Sequence, residues 1–151
     1  MLDDVDRRLL RQLQAEPTLS VQELAERART TPARAARRIE RMEADGIIAG
    51  REALIDWAAL GFHVRVSLRI TVDKTVPTAL DVLMAEARTI PEAIELQAFL
   101  GRVDLRLEVI ARDMAHYRQV YRERILTLPH VADIEALLTL STVKHQEEVP
   151  V

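Results

Sequence analysis

Cysteine is absent from the 151 residues, which excludes disulfides and thiolate chemistry and removes the ligands of a zinc finger. The four glycines are too few and too scattered for a phosphate-cradling loop. His63, His116, His130 and His145 show no His-x-x-x-His spacing, and no nucleophile–base set appears. Enzyme activity, a metal and a cofactor are therefore not expected. No apolar run approaches the length of a membrane span, and the acidic start Met-Leu-Asp-Asp-Val-Asp has neither a basic n-region nor an apolar h-region. The expectation is a soluble cytoplasmic protein with no membrane partner. Repeats and low-complexity stretches are also missing. An excess of basic charge is missing too, since the net charge is −3. Residues 1–51, however, hold 10 Arg against 9 Asp/Glu, while residues 52–151 hold 11 Lys/Arg against 15 Asp/Glu. Attraction to phosphate follows local potential, because charges beyond about one Debye length are screened.

That local potential is concentrated in residues 20–46. Residues 3–15 carry Val5, Leu9, Leu10 and Leu13 at helical spacing, with Asp3 or Asp4 as cap and Pro17 beyond the end. Ser20 and Glu23 form the capping box of a second helix that buries Val21, Leu24, Ala25 and Ala28. Thr31 as N-cap and Pro32 at the first helical position start a third helix, and Asp45-Gly46 ends it. On that helix Arg34, Arg37, Arg38 and Arg41 fall within an arc of roughly 100°, opposite Ala35, Ala36, Ile39 and Met42. One face packs; the other presents guanidinium forks, which suit phosphate oxygens and guanine edges in a major groove. The pattern predicts a three-helix helix-turn-helix domain over 1–51. Thr31, Arg34, Arg37, Arg38, Arg41 and Arg51 are its candidate contacts to double-stranded DNA. A structural ion pair to a neighbouring acid is the alternative role for Arg38.

Residues 47–56 read as a short extended segment, a wing or linking strand, with 52–61 as the linker. From Phe62 to Val72 apolar residues alternate with polar ones, the mark of a strand with one apolar face. Helix over 76–88, strands over Ala93–Leu100 and Asp104–Ala111, helix over 113–127 and a last strand over Val131–Val143 follow. This is the βαββαβ order of a ferredoxin-like sandwich, here spanning 62–144, with residues 145–151 as a mobile C-terminal tail. The fold class is α+β.

These residues resemble the Lrp/AsnC family of transcriptional regulators over nearly the whole chain. The likeness rests on Leu2-Asp3-Asp4-Val5-Asp6-Arg7-Arg8-Leu9-Leu10, Glu23-Leu24-Ala25, Thr31-Pro32, Arg38-Ile39, Arg41-Met42-Glu43 and Gly46-Ile47-Ile48. Leu60-Gly61, the pair Gly101 and Asp104, Leu128-Pro129-His130-Val131 and Val143-Lys144 continue it in order. The resemblance implies a sequence-specific DNA-binding regulator whose second domain forms dimers and higher assemblies such as octamers. It also implies an amino acid or related metabolite bound near the glycine-x-x-aspartate turn. Three positions depart from the family pattern. Arg29 stands where a turn glycine is usual, Arg102 where an acid is common, and Ala136 where a threonine hydroxyl is frequent. A non-glycine residue in the left-handed region costs on the order of 1 kcal/mol.

For the effector the candidates are Gly101, where backbone can approach a ligand, Arg102 for a carboxylate, Asp104 for an α-ammonium group, and Ala136. Gly and Asp are also ordinary residues of a plain hairpin. The expected function is a dimeric transcriptional regulator modulated through its assembly. The alternatives are an effector-free regulator and an architectural protein that compacts DNA with little sequence preference.

Overall fold

The structure, a computed structural model, describes residues 1–144 and 148–151. It divides into two compact units: Met1–Leu54 with the described part of Lys144–Val151, and Ile55–Val143.

The first unit holds α1 (Asp4–Ala15), α2 (Val21–Arg27) and α3 (Pro32–Ala44). Each start is capped by the residue type its N–H groups require. The Asp3 carboxylate accepts from Val5 and Asp6 N–H, and Ser20 and Glu23 form the expected box. The Thr31 hydroxyl accepts from Arg34 N–H at 3.4 Å, ahead of Pro32. Leu9, Leu24, Ala25, Ala28, Ala35, Ile39 and Met42 are buried together as one small core. Burial of each larger side chain contributes about 1.5–3 kcal/mol.

In the second unit β1 (Val64–Val72), β2 (Ala93–Ala98), β3 (Leu105–Ala111) and β4 (Val131–Leu138) form one antiparallel sheet in the order β2-β3-β1-β4. Two helices, α4 (Ala79–Ala87) and α5 (Met114–Val120), complete the βαββαβ order, and α5 runs on into a π-helical turn over Tyr121–Ile125. Val66, Leu68, Ile70, Leu105, Leu107 and Val109 from one sheet face pack with Leu83, Ala87, Val120 and Ile125. The other face carries charge in cross-strand pairs: Arg65–Glu108 at 3.0 Å, Arg106–Glu95 at 3.3 Å and Arg69–Glu135 at 3.6 Å.

Three expectations change. Residues 47–56 form no strand, wing or otherwise, because no described segment offers a ladder to their backbone groups. The last strand stops at Leu138 rather than Val143, since Thr139 N–H already bonds Arg65 at the start of β1 and the partner strand runs out. The tail, expected to be mobile, has Val149 and Val151 hydrogen-bonded to α1; residues 145–147 lie outside the described residues.

Candidate nucleic-acid interface and ligand cleft

The α2–α3 turn closes with two hydrogen bonds. Arg29 N–H donates to the Glu26 carbonyl at 3.0 Å and Thr30 N–H to the Ala25 carbonyl at 2.8 Å. This is a Schellman cap, whose residue after the C-cap must be left-handed; Arg29 fills it at φ 55°. The end of α3 has the same pair of bonds, Gly46 to Glu43 and Ile47 to Met42, with Gly46 at φ 71°. Arg8 Nε donates to the Ala28 carbonyl at 2.8 Å and braces the strained turn from α1.

The four arginines of α3 divide into two kinds. Arg34 and Arg37 are exposed, and among the described residues no carboxylate lies within ion-pair reach of either. Arg38 is bound to Asp3 at 2.6 Å and to Asp6 at 2.8 Å, and Arg41 reaches the other oxygen of Asp6 at 2.7 Å. Asp6 is fully buried, so its charge persists there only because two guanidinium groups and the Asp3 N–H face it. Burial pushes the Asp6 carboxyl up, but Arg38 and the Asp3 N–H hold it below the ordinary range. The Arg38 hydrogen bond, with backbone help from Asp6, lowers Asp3 to about 2. Asp3 and then Asp6 raise Arg38 in turn. Arg38 and Arg41, expected on the DNA face, are thus anchored to α1. The ion pair to a neighbouring acid, the alternative role for Arg38, is present; which acids supply it, and the pairing of Arg41, were not foreseen, because Asp3 and Asp6 at a helix start are explained by capping and the macrodipole alone. Thr31 is an N-cap, and Arg51 lies in the irregular segment after α3.

The effector candidates are not brought together. The Asp104 carboxylate is buried; it accepts Val72 N–H at 2.9 Å and pairs with the Lys74 ammonium. Lys74, followed by Val72, holds it below the usual carboxylate range. It therefore already has an ammonium partner from its own chain. Gly101 has no positive φ, and a Cβ there would meet nothing within 4 Å. Ala136 lies opposite Leu68 on β1, so it shares the helix-side face of the sheet. Arg102 instead lines a cleft of about 430 Å³ with Arg69, Thr71, Val103, Asp133 and Glu135, on the charged face. Two cations and two carboxylates around one opening can meet both ends of a small zwitterion. Asp133 and Glu135 were outside the sequence expectation, because only the β1–β4 register shows that they flank Thr71 and Arg69.

A helix-turn-helix unit joined to an α/β sandwich with a charged cleft defines a DNA-binding regulator with a ligand-binding domain. Comparison with known proteins supports each half. Residues 2–49 match the winged helix-turn-helix DNA-binding model, and residues 65–149 match the Lrp/AsnC ligand binding domain. The proline dehydrogenase transcriptional activator of Rhodobacter capsulatus is 32% identical over 146 residues, covering 97% of this chain and 95% of that one. A DNA-binding transcriptional activator of Escherichia coli is 28% identical over 151 residues, covering 100% and 99%. A transcriptional regulator from Neisseria meningitidis, solved with L-Met, superposes with a TM-score of 0.92 at 26% identity, covering 99% of this chain and 97% of that one. The chain belongs to the Lrp/AsnC family of transcriptional regulators. It is not an enzyme.

Proposed function

We propose that this regulator binds promoter DNA as a two-fold dimer, with Arg34 and Arg37 of α3 as the major-groove and phosphate contacts. Thr31 and Arg51 lie at the DNA backbone, and Arg38 and Arg41 hold the helix in place. One observation carries the reading: Arg34 and Arg37 are the exposed arginines of α3 that lack a described acidic partner, on a helix whose opposite face is buried. A two-fold pair sets two such helices about one DNA turn apart. Assembly is supported by exposed apolar side chains of the second unit, among them Ile55, Leu60, Leu100, Leu138 and Leu140. The effector is an amino acid whose carboxylate meets Arg102 and whose ammonium meets Asp133, since Glu135 already faces Arg69; this moves the ammonium site away from Asp104. The Neisseria relative with L-Met points to the same ligand class. The site of action is the cytoplasm, where promoter DNA and free amino acids meet.

The test is a binding assay on a mapped site against random duplex. Arg34→Ala with Arg37→Ala weakens binding by about tenfold or more, while oligomer size is unchanged. Unchanged binding rejects the assignment. A site that competes no better than random DNA favours the architectural reading. A thermal-shift screen of amino acids tests the effector, because a ligand that binds only the native state raises the midpoint. Arg102→Ala then abolishes the shift.

A further inference from the structure

An apolar groove of about 370 Å³ runs along the outer side of α1, walled by Leu10, Leu13, Ile47 and Ile48, with Val149 and Val151 at its edge. The last two residues belong to a short segment held by main-chain bonds rather than by side-chain burial alone. Gln14 pairs with Val149 as an amide pairs with a strand: its Oε1 accepts Val149 N–H at 2.6 Å, and its Nε2 donates to the Val149 carbonyl at 3.2 Å. Arg11 Nε donates to the Val151 carbonyl at 2.5 Å. Pro150 between them has no N–H to leave unsatisfied, and the chain turns tightly about it, with the Val151 N–H donating to the Val149 carbonyl at 2.9 Å; the fixed proline φ lowers the entropy lost on docking.

We propose that α1 carries a receptor, Arg11 and Gln14 above the Leu10–Leu13–Ile47–Ile48 groove, for residues 148–151 of the same chain. The segment follows β4 in the chain yet packs as part of the DNA-binding unit. The DNA-binding unit therefore gathers residues from both ends of the chain. The proposal is independent of which DNA or effector is bound.

The chain has no cysteine, so pairs can be introduced without background. Glu52→Cys and Val151→Cys place thiols on two residues that line the groove, and neither makes a side-chain hydrogen bond there. In the full chain a short bismaleimide should give an intrachain link, seen by intact mass as a crosslinked monomer. Adding Gln14→Ala should cut its yield several-fold. A link mainly between chains overturns the proposal in favour of a second copy's segment, and no link in either background overturns it outright. Amide exchange gives an independent reading. The Val149 N–H should exchange slowly in the unmodified chain and about tenfold faster in Gln14→Ala, whose helix propensity at that site is no worse. Exchange of Val149 at the unprotected rate in the unmodified chain refutes the docking.

Discussion

Arg29→Gly is the substitution whose outcome the backbone dictates most directly. Arg29 sits at φ 55° in a cap that α3 repeats with Gly46 at φ 71°, so one molecule contains the motif in both forms. Left-handed geometry costs a residue with a Cβ roughly 1–2 kcal/mol. Glycine returns about 0.5–1 kcal/mol of that through its greater freedom in the unfolded chain. The net expectation is stabilisation of the DNA-binding unit by about 0.5–1 kcal/mol. For a unit of this size that is a rise of about 3–6 °C in Tm. Gly46→Ala is the reciprocal change; a Cβ there meets nothing within 4 Å, so its loss of about 1 kcal/mol is purely conformational. Scanning calorimetry on the full chain is the assay. The single tryptophan, Trp57, belongs to the other unit, so its fluorescence does not follow this transition. If Arg29→Gly melts at or below the parent temperature while Gly46→Ala behaves as stated, the strain argument fails. The Arg29 side chain then repays its backbone.

Other outcomes follow from the charge networks. Asp6→Ala strands Arg38 and Arg41 without their buried acceptor; because both arginines are partly exposed, the loss is about 2 kcal/mol, read by urea unfolding. Asp3, lowered from 3.8 to about 2, and Asp6, also lowered, stabilise the folded unit above the ordinary carboxylate range. That contribution is lost as pH falls from about 4 toward 2, and Arg38→Met flattens the fall when midpoints are measured against pH. Asp104→Ala leaves Val72 N–H and Lys74 unpartnered and destabilises the second unit by about 1–2 kcal/mol, followed by Trp57 fluorescence in denaturant.

What was legible in the sequence was local. Ser20 with Glu23, Thr31 before Pro32, and Asp45-Gly46 each encode a helix end within four residues, and each end is where it was expected. The alternation from Val64 to Val72 likewise encodes a strand with one buried face. Partnership across the chain was not legible. Nothing in Asp6 announces that Arg38 and Arg41, more than thirty residues on, will close around it. Nor does Asp104 announce that Lys74 will occupy its carboxylate. Residues 47–56 have the composition of a strand but find no neighbour to bond among the described residues, and a strand is a property of two segments. The π-helical turn in α5 and the left-handed His130 before β4 also carry no composition signal.

On the proposed contacts, Arg34 and Arg37 from each helix of a two-fold pair, the ion pairs of Arg38 and Arg41 set the expected response to ionic strength. DNA affinity falls with salt at a slope of about −0.9 per neutralised phosphate. With four arginines free on each of two helices, raising salt from 50 to 200 mM would loosen the complex about 10⁴-fold. With only Arg34 and Arg37 free, the same change costs about 10²-fold. On those contacts the two carboxylates at the start of α1 flatten the expected salt response, so that the complex tolerates a wider range of ionic strength than the arginine count suggests.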